Sequence, residues 1–370
     1  MKTDSNHLLL LGIGGAGCTA VRGVRRAYGE PLRALTVDSD ASSGASSEIP
    51  FVLIGGDRLA GRGAGGLPAE AQAAFLDNQE VLDPQLEGVH TAIIGTALGG
   101  GTGSGATSEI VRHLSAKGIA SIVFATLPFS FEGQERASHA NTAIGSIEHV
   151  ADATVPLPLD TLMADSSCDN MKDALARMAD TLATAITLFW RILEKPGYIS
   201  LDAERLRTAI TDSGRGRFAT ATARGERRAD EILSALSTSP MLSKGAHAPT
   251  KSIFMGILAG DDLRLSEVAR VADGFRDAFG RGAAFQLGTV NDETTFSGRL
   301  VVATLVFEES AVAKATVKSR RTARAATKSR KISESALDAP DRFSDSEKTM
   351  WHDEDLDIPT YLRRNLTIDR

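Results

Sequence analysis

Short apolar runs alternate with amphipathic stretches in the first third of the chain. Leu8–Leu11, Ala34–Val37, Ala92–Gly95 and Ile119–Leu127 each predict a strand, and the stretch from Thr19 to Tyr28 predicts a helix. Strands that alternate with helices favour a parallel sheet covered on both faces. Because such sheets bind ligands at the carboxyl ends of their strands, the turns that follow the strands are the candidate sites.

A long helix is predicted over residues 171–194. Its apolar side chains recur at intervals of three and four and form one stripe: Met171, Leu175, Met178, Leu182, Ile186, Phe189 and Leu193. Pro196–Gly197 ends it. Two interpretations stay open, a plain core helix and a core helix that also contacts a ligand.

A second α/β region is predicted over residues 251–308. Ser252–Leu258 and Leu300–Phe307 have the apolar character of strands, and a helix is expected between them, near Ser266–Phe279.

Charge blocks dominate the C-terminal part. Residues 311–331 contain eight Lys/Arg and no Asp/Glu, whereas residues 333–357 contain nine Asp/Glu and two Lys/Arg. Segments with so few apolar residues cannot bury a core, so they are predicted to be disordered. The basic block is interpreted as a solvated linker, with weak binding to anionic lipid or nucleic acid as the alternative. Apolar residues return within LDIPTYLRRN and predict a docking peptide: Leu356, Ile358, Tyr361 and Leu362.

Composition narrows the class of protein. The 370 residues carry a formal net charge of -6, which argues against a wholly basic nucleic-acid binder. No stretch approaches the roughly 20 apolar residues of a membrane helix. The N-terminal apolar run is too short for a signal-peptide core, so we expect a cytosolic protein. Cys18 and Cys168 are too few for a disulfide scaffold or a four-ligand zinc site, and Cys18 is expected to be a small buried residue.

Two glycine-rich turns follow predicted strands, at Gly12–Gly17 and Gly99–Gly105, the second leading into a helix from about Ala106. Glycines expose backbone N–H groups at a helix N-terminus, where phosphate binds favourably. Gly103 is expected where backbone approaches phosphate, at a position that also favours positive φ. The first turn matches G-x-G-x-x-G, and Asp38 and Asp40 follow at about the distance expected for a dinucleotide site, so a Rossmann-type dehydrogenase is one interpretation. It leaves the second turn unexplained, and neither turn carries a Walker lysine.

The GGGTGSG turn resembles the phosphate loop of the tubulin/FtsZ family. Further stretches are similar to FtsZ motifs in the same order along the chain: LGIGGAGCTAV, VDSDA, IGGDRLAGRGAGGLP, PFSFEGQER, LPLDTLM, LAGDDLRLSEV and the terminal LDIPTYLRRN. The resemblance covers residues 8–308 and the tail. It implies an α/β fold of the tubulin/FtsZ type, with a Rossmann-like parallel-sheet nucleotide-binding domain, a long central helix, a second smaller α/β domain and a disordered C-terminal linker.

The resemblance also implies domain bounds, ligands and roles. The expected bounds are a GTP-binding domain over 1–170, a central helix over 171–195, a C-terminal α/β domain over 196–308, a linker over 309–350 and a docking peptide over 351–370. The ligands would be GTP/GDP with Mg²⁺ held mainly by phosphates and water rather than by a protein metal site. The implied nucleotide-binding residues are Gly14, Gly15, Ala16, Gly17, Cys18, Thr19, Asp40, Ala64, Gly65, Gly99, Gly100, Gly101, Thr102, Gly103, Ser104, Gly105, Glu132, Arg136 and Asp180. Glu132 would meet the ribose and Arg136 the nucleotide.

This chain departs from the FtsZ pattern at two places. On the long helix, Leu175 and Ala179 stand where the family has an aromatic residue and Asn, and Asp180 alone keeps its contact to guanine. In the loop that completes a neighbour's active site, Asp202 survives, while Ser200 and Arg205 replace Asn and Asp. Because a guanidinium cannot act as a general base, the altered position predicts slow hydrolysis.

The resemblance therefore implies a GTPase that polymerises head to tail into filaments of the bacterial division ring, in the cytoplasm at the division site. The tail would bind a membrane-adaptor division protein through its four apolar residues; no nucleic-acid partner is expected, and membrane contact would come only through that adaptor or weakly through the basic linker. The alternative is a non-hydrolysing FtsZ-like scaffold in which nucleotide only stabilises assembly.

Overall fold

The computed structural model describes residues 7–28, 32–45, 49–163, 171–194, 197–200, 207, 210–211, 213–243, 250–308, 350–351 and 354–355, with side chains of the helix at 171–194 described from residue 182 to 193. Met1–Ala313 and Lys314–Arg370 form two separate units. Within the second, Met350–Trp351 pairs antiparallel with Glu354–Asp355. The rest of the predicted linker and the four apolar tail residues lie outside the described part.

One ten-stranded sheet organises the first unit. Its strands, in chain order, are β1 (Leu8–Ile13), β2 (Ala34–Asp38), β3 (Phe51–Leu53), β4 (Thr91–Ala97), β5 (Ala120–Leu127), β6 (Ala153–Pro158), β7 (Gly214–Arg224), β8 (Thr250–Ala259), β9 (Ala284–Asn291) and β10 (Arg299–Glu308). Their spatial order is β3-β2-β1-β4-β5-β6-β7-β10-β8-β9. In this spatial order the seven strands from β3 to β7 are parallel to one another, whereas β10 is antiparallel to both β7 and β8. The predicted parallel sheet is confirmed, and the first six strands also have the Rossmann order, so strand order alone does not separate the two interpretations.

Helices connect these strands. In chain order they are α1 (Gly14–Tyr28), α2 (Gly56–Leu59), α3 (Pro68–Leu76), α4 (Asp83–Leu86), α5 (Gly101–Ala116), α6 (Gln134–Val150), α7 (Leu159–Met163), α8 (Met171–Glu194), α9 (Arg228–Ser237), α10 (Pro240–Ser243), α11 (Leu265–Phe279) and α12 (Glu293–Phe296). The bounds of α8 are those predicted. Helices α1 and α5 begin five residues before the predicted starts, already at the glycine turns.

Both faces of the parallel part are buried, as its apolar strands require. Along β1, Leu8 and Leu10 join the core under α1 and α8, and Leu9 and Leu11 join the core under α3, α5 and α6. The core that contains α8 also extends under β7, β8 and β10, where Phe218 and other apolar residues belong to it. A third core packs α9 and α11 on the opposite face of β7, β8 and β10.

Helix α8 is more deeply buried than one stripe predicts. In its described half, Trp190 and Arg191 are buried as well as the predicted Leu182 and Ile186. A Cβ placed on Gly95 of β4 would lie 2.8 Å from Ile186 Cδ1, so the helix sits directly on the sheet. The described half of α8 is therefore a core helix.

Candidate functional site

The two glycine turns meet because their strands are neighbours. Strands β1 and β4 pair in parallel, with Ile13 opposite Thr96, so the chain leaves both at the same edge of the sheet. A Cβ added to Gly14 would lie only 3.2 Å from the backbone nitrogen of Gly103. The N-termini of α1 and α5 thus converge, and two helix N-termini with free N–H groups form a strong anion site.

A cleft with an empty volume of about 1100 Å³, part of it open to solvent, lies over these two N-termini. Many predicted site residues line it: Gly14, Gly15, Ala16, Asp40, Ala64, Gly65, Gly100, Gly101, Thr102, Gly103, Glu132 and Arg136. The structure places others beside the cleft without lining it: Gly17, Cys18, Thr19, Gly99, Ser104 and Gly105.

The glycines of the second turn serve two different purposes. A Cβ on Gly103 would lie 2.1 Å from the Ala97 carbonyl oxygen, and one on Gly105 would lie 1.9 Å from that of Pro68. These two positions exclude side chains because backbone packs against them. The expectation of a positive φ at Gly103 is wrong. The residue of this turn with that conformation is Gly99, at φ 104°. Gly100 instead faces open space, where backbone is accessible to a ligand.

Serine and threonine hydroxyl groups stabilise the Gly99–Gly105 turn by hydrogen bonding. Ser39 Oγ lies 2.7 Å from Thr102 Oγ1, which joins the end of β2 to the start of α5. Ser104 Oγ accepts a hydrogen bond from the Gly99 N–H at 2.8 Å, so this side chain organises its own turn.

Two acidic residues, Asp38 at the end of β2 and Asp40 just after it, line one side of the cleft. The carboxylate of the buried Asp38 accepts hydrogen bonds from Ser39 N at 2.7 Å and Ser43 Oγ at 2.6 Å. Asp40 Oδ1 accepts one from Ser42 N at 2.8 Å, and hydrogen bonding by Ser42 lowers the pKa of Asp40 below its ordinary value. Both groups are therefore satisfied within their own turn.

Glu132 and Arg136 reach the opposite end of the cleft. They pair with each other, with Arg136 Nη1 2.5 Å from Glu132 Oε2, and the Phe129 N–H donates to the other carboxylate oxygen at 2.9 Å. Glu132 is held at the cleft by these two bonds, while the Arg136 side chain is 58% exposed and accessible to a ligand.

Known proteins resemble this chain in sequence. A family model for the GTPase domain of the tubulin/FtsZ family matches residues 7–167. The cell division protein FtsZ of Pseudomonas aeruginosa is 30% identical over 285 residues, which cover 76% of this chain and 72% of that protein. The chain belongs to the FtsZ family.

Solved structures agree in fold. An FtsZ dimer from M. jannaschii matches with a TM-score of 0.76 at 22% identity, over 81% of this chain and 87% of that one. CetZ2 from Haloferax volcanii, in a GTPγS-bound protofilament, matches with a TM-score of 0.68 at 20% identity, over 87% of this chain and 98% of that one. The predicted FtsZ/tubulin-like fold is confirmed.

Cys18 of the first FtsZ-like turn is fully buried, which agrees with its interpretation as a small buried residue. Its Sγ faces the carbonyl oxygens of Gly12 at 3.8 Å and Val37 at 3.7 Å. Burial, and then the charge of Asp38, raises the pKa of this thiol to about 12. The neighbouring Thr19 is exposed and donates to the Gly15 carbonyl oxygen at 2.8 Å.

Several residues that carry the FtsZ resemblance lie outside the part of the chain that the structure describes. The side chains of Leu175, Ala179 and Asp180 lie outside the described part of α8, and Asp202 and Arg205 lie in an undescribed segment. Ser200 is described and exposed. Among the described residues, no group of three or more His, Cys, Asp or Glu side chains could hold a metal ion, and no helix is long and apolar enough to cross a membrane.

Two charged residues that line the cleft, Asp38 and Arg62, are absent from the nucleotide-binding residues that the FtsZ resemblance implies. Arg62 occupies the variable position of the G-x-G-A-G-x-x-P motif and lines the cleft beside Gly63 and Ala64. The signal available in the sequence is a cation within this glycine-rich motif.

Proposed function

We propose that this FtsZ-family chain binds GTP or GDP in the cleft and polymerises head to tail into filaments that organise the division ring of a bacterial cell. GTP would be hydrolysed, slowly, between subunits. The single observation that carries this proposal is the convergence of α1 and α5 at Gly14 and Gly103, because two helix N-termini at one point suit a polyphosphate rather than an uncharged ligand.

A nucleotide would lie along the cleft. Gly100 leaves space at the α5 N-terminus, so phosphate oxygens can approach the backbone there. Glu132 would accept hydrogen bonds from ribose hydroxyls at the far end, and Arg136 would contact the nucleotide beside it. Asp180 would accept from the N1–H and amino groups of guanine.

Magnesium would accompany the triphosphate. Mg²⁺ prefers oxygen ligands and keeps several waters, so phosphates and water would supply most of its coordination. When bound, the ion neutralises phosphate charge and polarises the terminal phosphate.

Head-to-tail assembly would bring Asp202 and Ser200 of one subunit to the nucleotide of the next. Arg205 at the third position cannot take a proton from water, which favours slow turnover. The same substitution favours the second candidate function, a scaffold in which nucleotide stabilises assembly without hydrolysis.

The proposed cellular setting is the cytoplasm at the division site. There the apolar tail residues would bind a membrane-adaptor division protein. Relatives named cell division protein FtsZ support this setting.

Sedimentation tests the proposal and separates its two forms. The protein should pellet with GTP and not with GDP or ATP, while phosphate release is followed in the same sample. Pelleting with slow release supports the GTPase, and pelleting without release supports the scaffold. Pelleting that is the same with and without nucleotide would refute both.

A further inference from the structure

Arg62 is fixed at the rim of the cleft by its backbone. Its neighbours bridge to the chain after β2: Ala41 N donates to Gly61 O at 2.9 Å, and Gly63 N donates to Ser39 O at 3.1 Å. Arg62 N itself donates to Leu59 O at 3.1 Å. The side chain therefore starts from a defined position although it is exposed to solvent.

Among the residues that the structure describes, none forms an ion pair with the side chain of Arg62. Of the charged residues that line the cleft, Arg136 is paired with Glu132, and Asp38 and Asp40 accept hydrogen bonds within their turn. No described carboxylate lies within ion-pairing distance of Arg62. An unpaired guanidinium offers a planar set of donors that matches phosphate oxygens.

The loop that carries Arg62 packs on the anion-binding end of α5. A Cβ on Gly101 would lie 2.9 Å from Ala64 Cβ and 3.2 Å from Leu67 N. Arg62 is two residues from Ala64, so the backbone of Arg62 lies near the N-terminus of α5, which attracts negative charge.

Strand order decides which part of a nucleotide Arg62 meets. Arg62 is bridged to the turn after β2, and Glu132 follows β5; these strands lie on opposite sides of the central pair β1 and β4. A nucleotide whose ribose lies at Glu132 must extend its phosphates across the N-termini of α1 and α5 toward β2. Its last phosphate then arrives at Arg62.

We infer that Arg62 binds the terminal phosphate of a nucleoside triphosphate in the cleft of its own chain, and so makes that cleft prefer triphosphate over diphosphate. The inference rests on the proposed function, because it takes the ribose to lie at Glu132. It assigns the preference to a cation within the chain, independent of any residue that a neighbouring subunit contributes.

Binding of GDP and of the non-hydrolysable analogue GMPPCP tests it, at protein concentrations where sedimentation shows no assembly. Arg62→Ala should weaken GMPPCP binding about tenfold to a hundredfold, the range expected for charge-assisted hydrogen bonds, and change GDP binding less than about twofold. Arg62→Lys should weaken GMPPCP binding less than Arg62→Ala does, since it keeps the charge and loses the planar donors. Arg62→Gln, close in length and uncharged, should behave like Arg62→Ala.

Arg58→Ala is the matched control. Arg58 lies four residues earlier, is similarly exposed and pairs with Asp77 at 2.8 Å rather than lining the cleft. It should change neither affinity. Equal weakening of both nucleotides by Arg62→Ala, or no weakening of GMPPCP, would overturn the inference while leaving the proposed function intact. If the unaltered protein binds neither nucleotide, the proposed function fails and the inference falls with it.

Discussion

Gly103 lies so close to Ala97 that a Cβ on Gly103 would stand 2.1 Å from the Ala97 carbonyl oxygen. This contact holds the first turn of α5 against the end of β4 and thereby places the N-terminus of α5 in the cleft. The glycine turn is consequently a packing element as well as the proposed phosphate site.

Replacing Gly103 with Val should therefore cost both stability and nucleotide binding. The branched side chain cannot fit without moving backbone, and overpacking of this kind costs about 1–3 kcal/mol. Thermal unfolding and GTP affinity measure the two effects. Gly145→Ala is the control, because Gly145 lies in α6 with open space around its Cα, and it should bind GTP normally. Unchanged GTP affinity in Gly103→Val would remove the phosphate-site assignment.

Arg191 and Asp292 should contribute strongly to stability at neutral pH. Arg191 Nη1 donates to Asp292 Oδ2 at 3.0 Å, and both side chains are largely buried. Asp292→Asn removes the negative charge that faces the largely buried Arg191 guanidinium, and breaking a buried ion pair in this way costs about 3–5 kcal/mol. The midpoint of urea unfolding at pH 7 reports the loss. Asp77→Asn breaks a shorter but exposed pair, with Arg58 Nε 2.8 Å from Asp77 Oδ2, and should cost less than about 1 kcal/mol.

The effect of Asp292 should also depend on pH. Burial alone would raise the pKa of Asp292, but hydrogen bonds from Thr294 and Thr295 and the charge of Arg191 outweigh it and hold the pKa well below the ordinary 3.8. A carboxyl whose folded-state pKa is depressed stabilises the fold above its unfolded-state pKa and loses that contribution as pH falls. The difference in the free energy of unfolding between wild type and Asp292→Asn should thus be constant from pH 7 to about 5 and shrink below about pH 4. A difference that grows on acidification would contradict this account.

Cys18 should be inert in the folded protein. With its pKa raised to about 12, only roughly one thiol in ten thousand is ionised at pH 8, and the thiolate is the reactive form. In a Cys168→Ser background, iodoacetamide should label Cys18 only after unfolding in urea. Labelling at equal rates with and without urea would show that the thiol is accessible.

Much of the fold was predictable because uninterrupted runs of apolar residues indicate buried strands. The predicted strands at β1, β2, β4, β5, β8 and β10 are all present, with ends that differ by a few residues. Strand β6 was missed because Pro156 and Pro158 interrupt its apolar run, although it pairs in parallel with β5 along its length and with β7 at Ala153 and Thr154. Strand β7 was missed because GRGRFATATAR has little apolar character and gains its stability from pairing with β10.

The starts of α1 and α5 were predicted too late because glycine is a poor helix former. Tertiary packing overrides that preference: a Cβ on Gly17 would lie 2.4 Å from Gly95 O, so only glycine lets α1 begin so close to β4. The glycine turns, Asp40, Glu132 and Arg136 could be assigned from motif resemblance. The motif marks Arg62 only as a cation in a glycine-rich loop, and its position at the cleft depends on a backbone bridge to Asp40 that connects turns 22 residues apart.

Arg205→Asp should raise GTP turnover. An aspartate can orient or activate water at the neighbour's phosphate, and general acid–base groups contribute about 10²–10⁴-fold, so an increase above roughly tenfold is expected. Filaments should become shorter-lived as their GTP is consumed. A fall from an already fast rate would instead make Arg205 a contributor to transition-state charge stabilisation.

Deletion of residues 351–370 should separate assembly from positioning. GTP-dependent sedimentation should persist, whereas a fluorescent fusion in the native host should no longer concentrate at midcell. Normal midcell localisation of the truncated protein would disprove the docking role, and loss of sedimentation would show that the tail takes part in assembly.

Calorimetric titration of the unassembled protein tests the central claim most directly. The account predicts one GTP site per chain, competition by GDP, no competition by NAD and loss of the site in Gly103→Val. Binding of NAD without binding of GTP, or undiminished GTP binding in Gly103→Val, would contradict it.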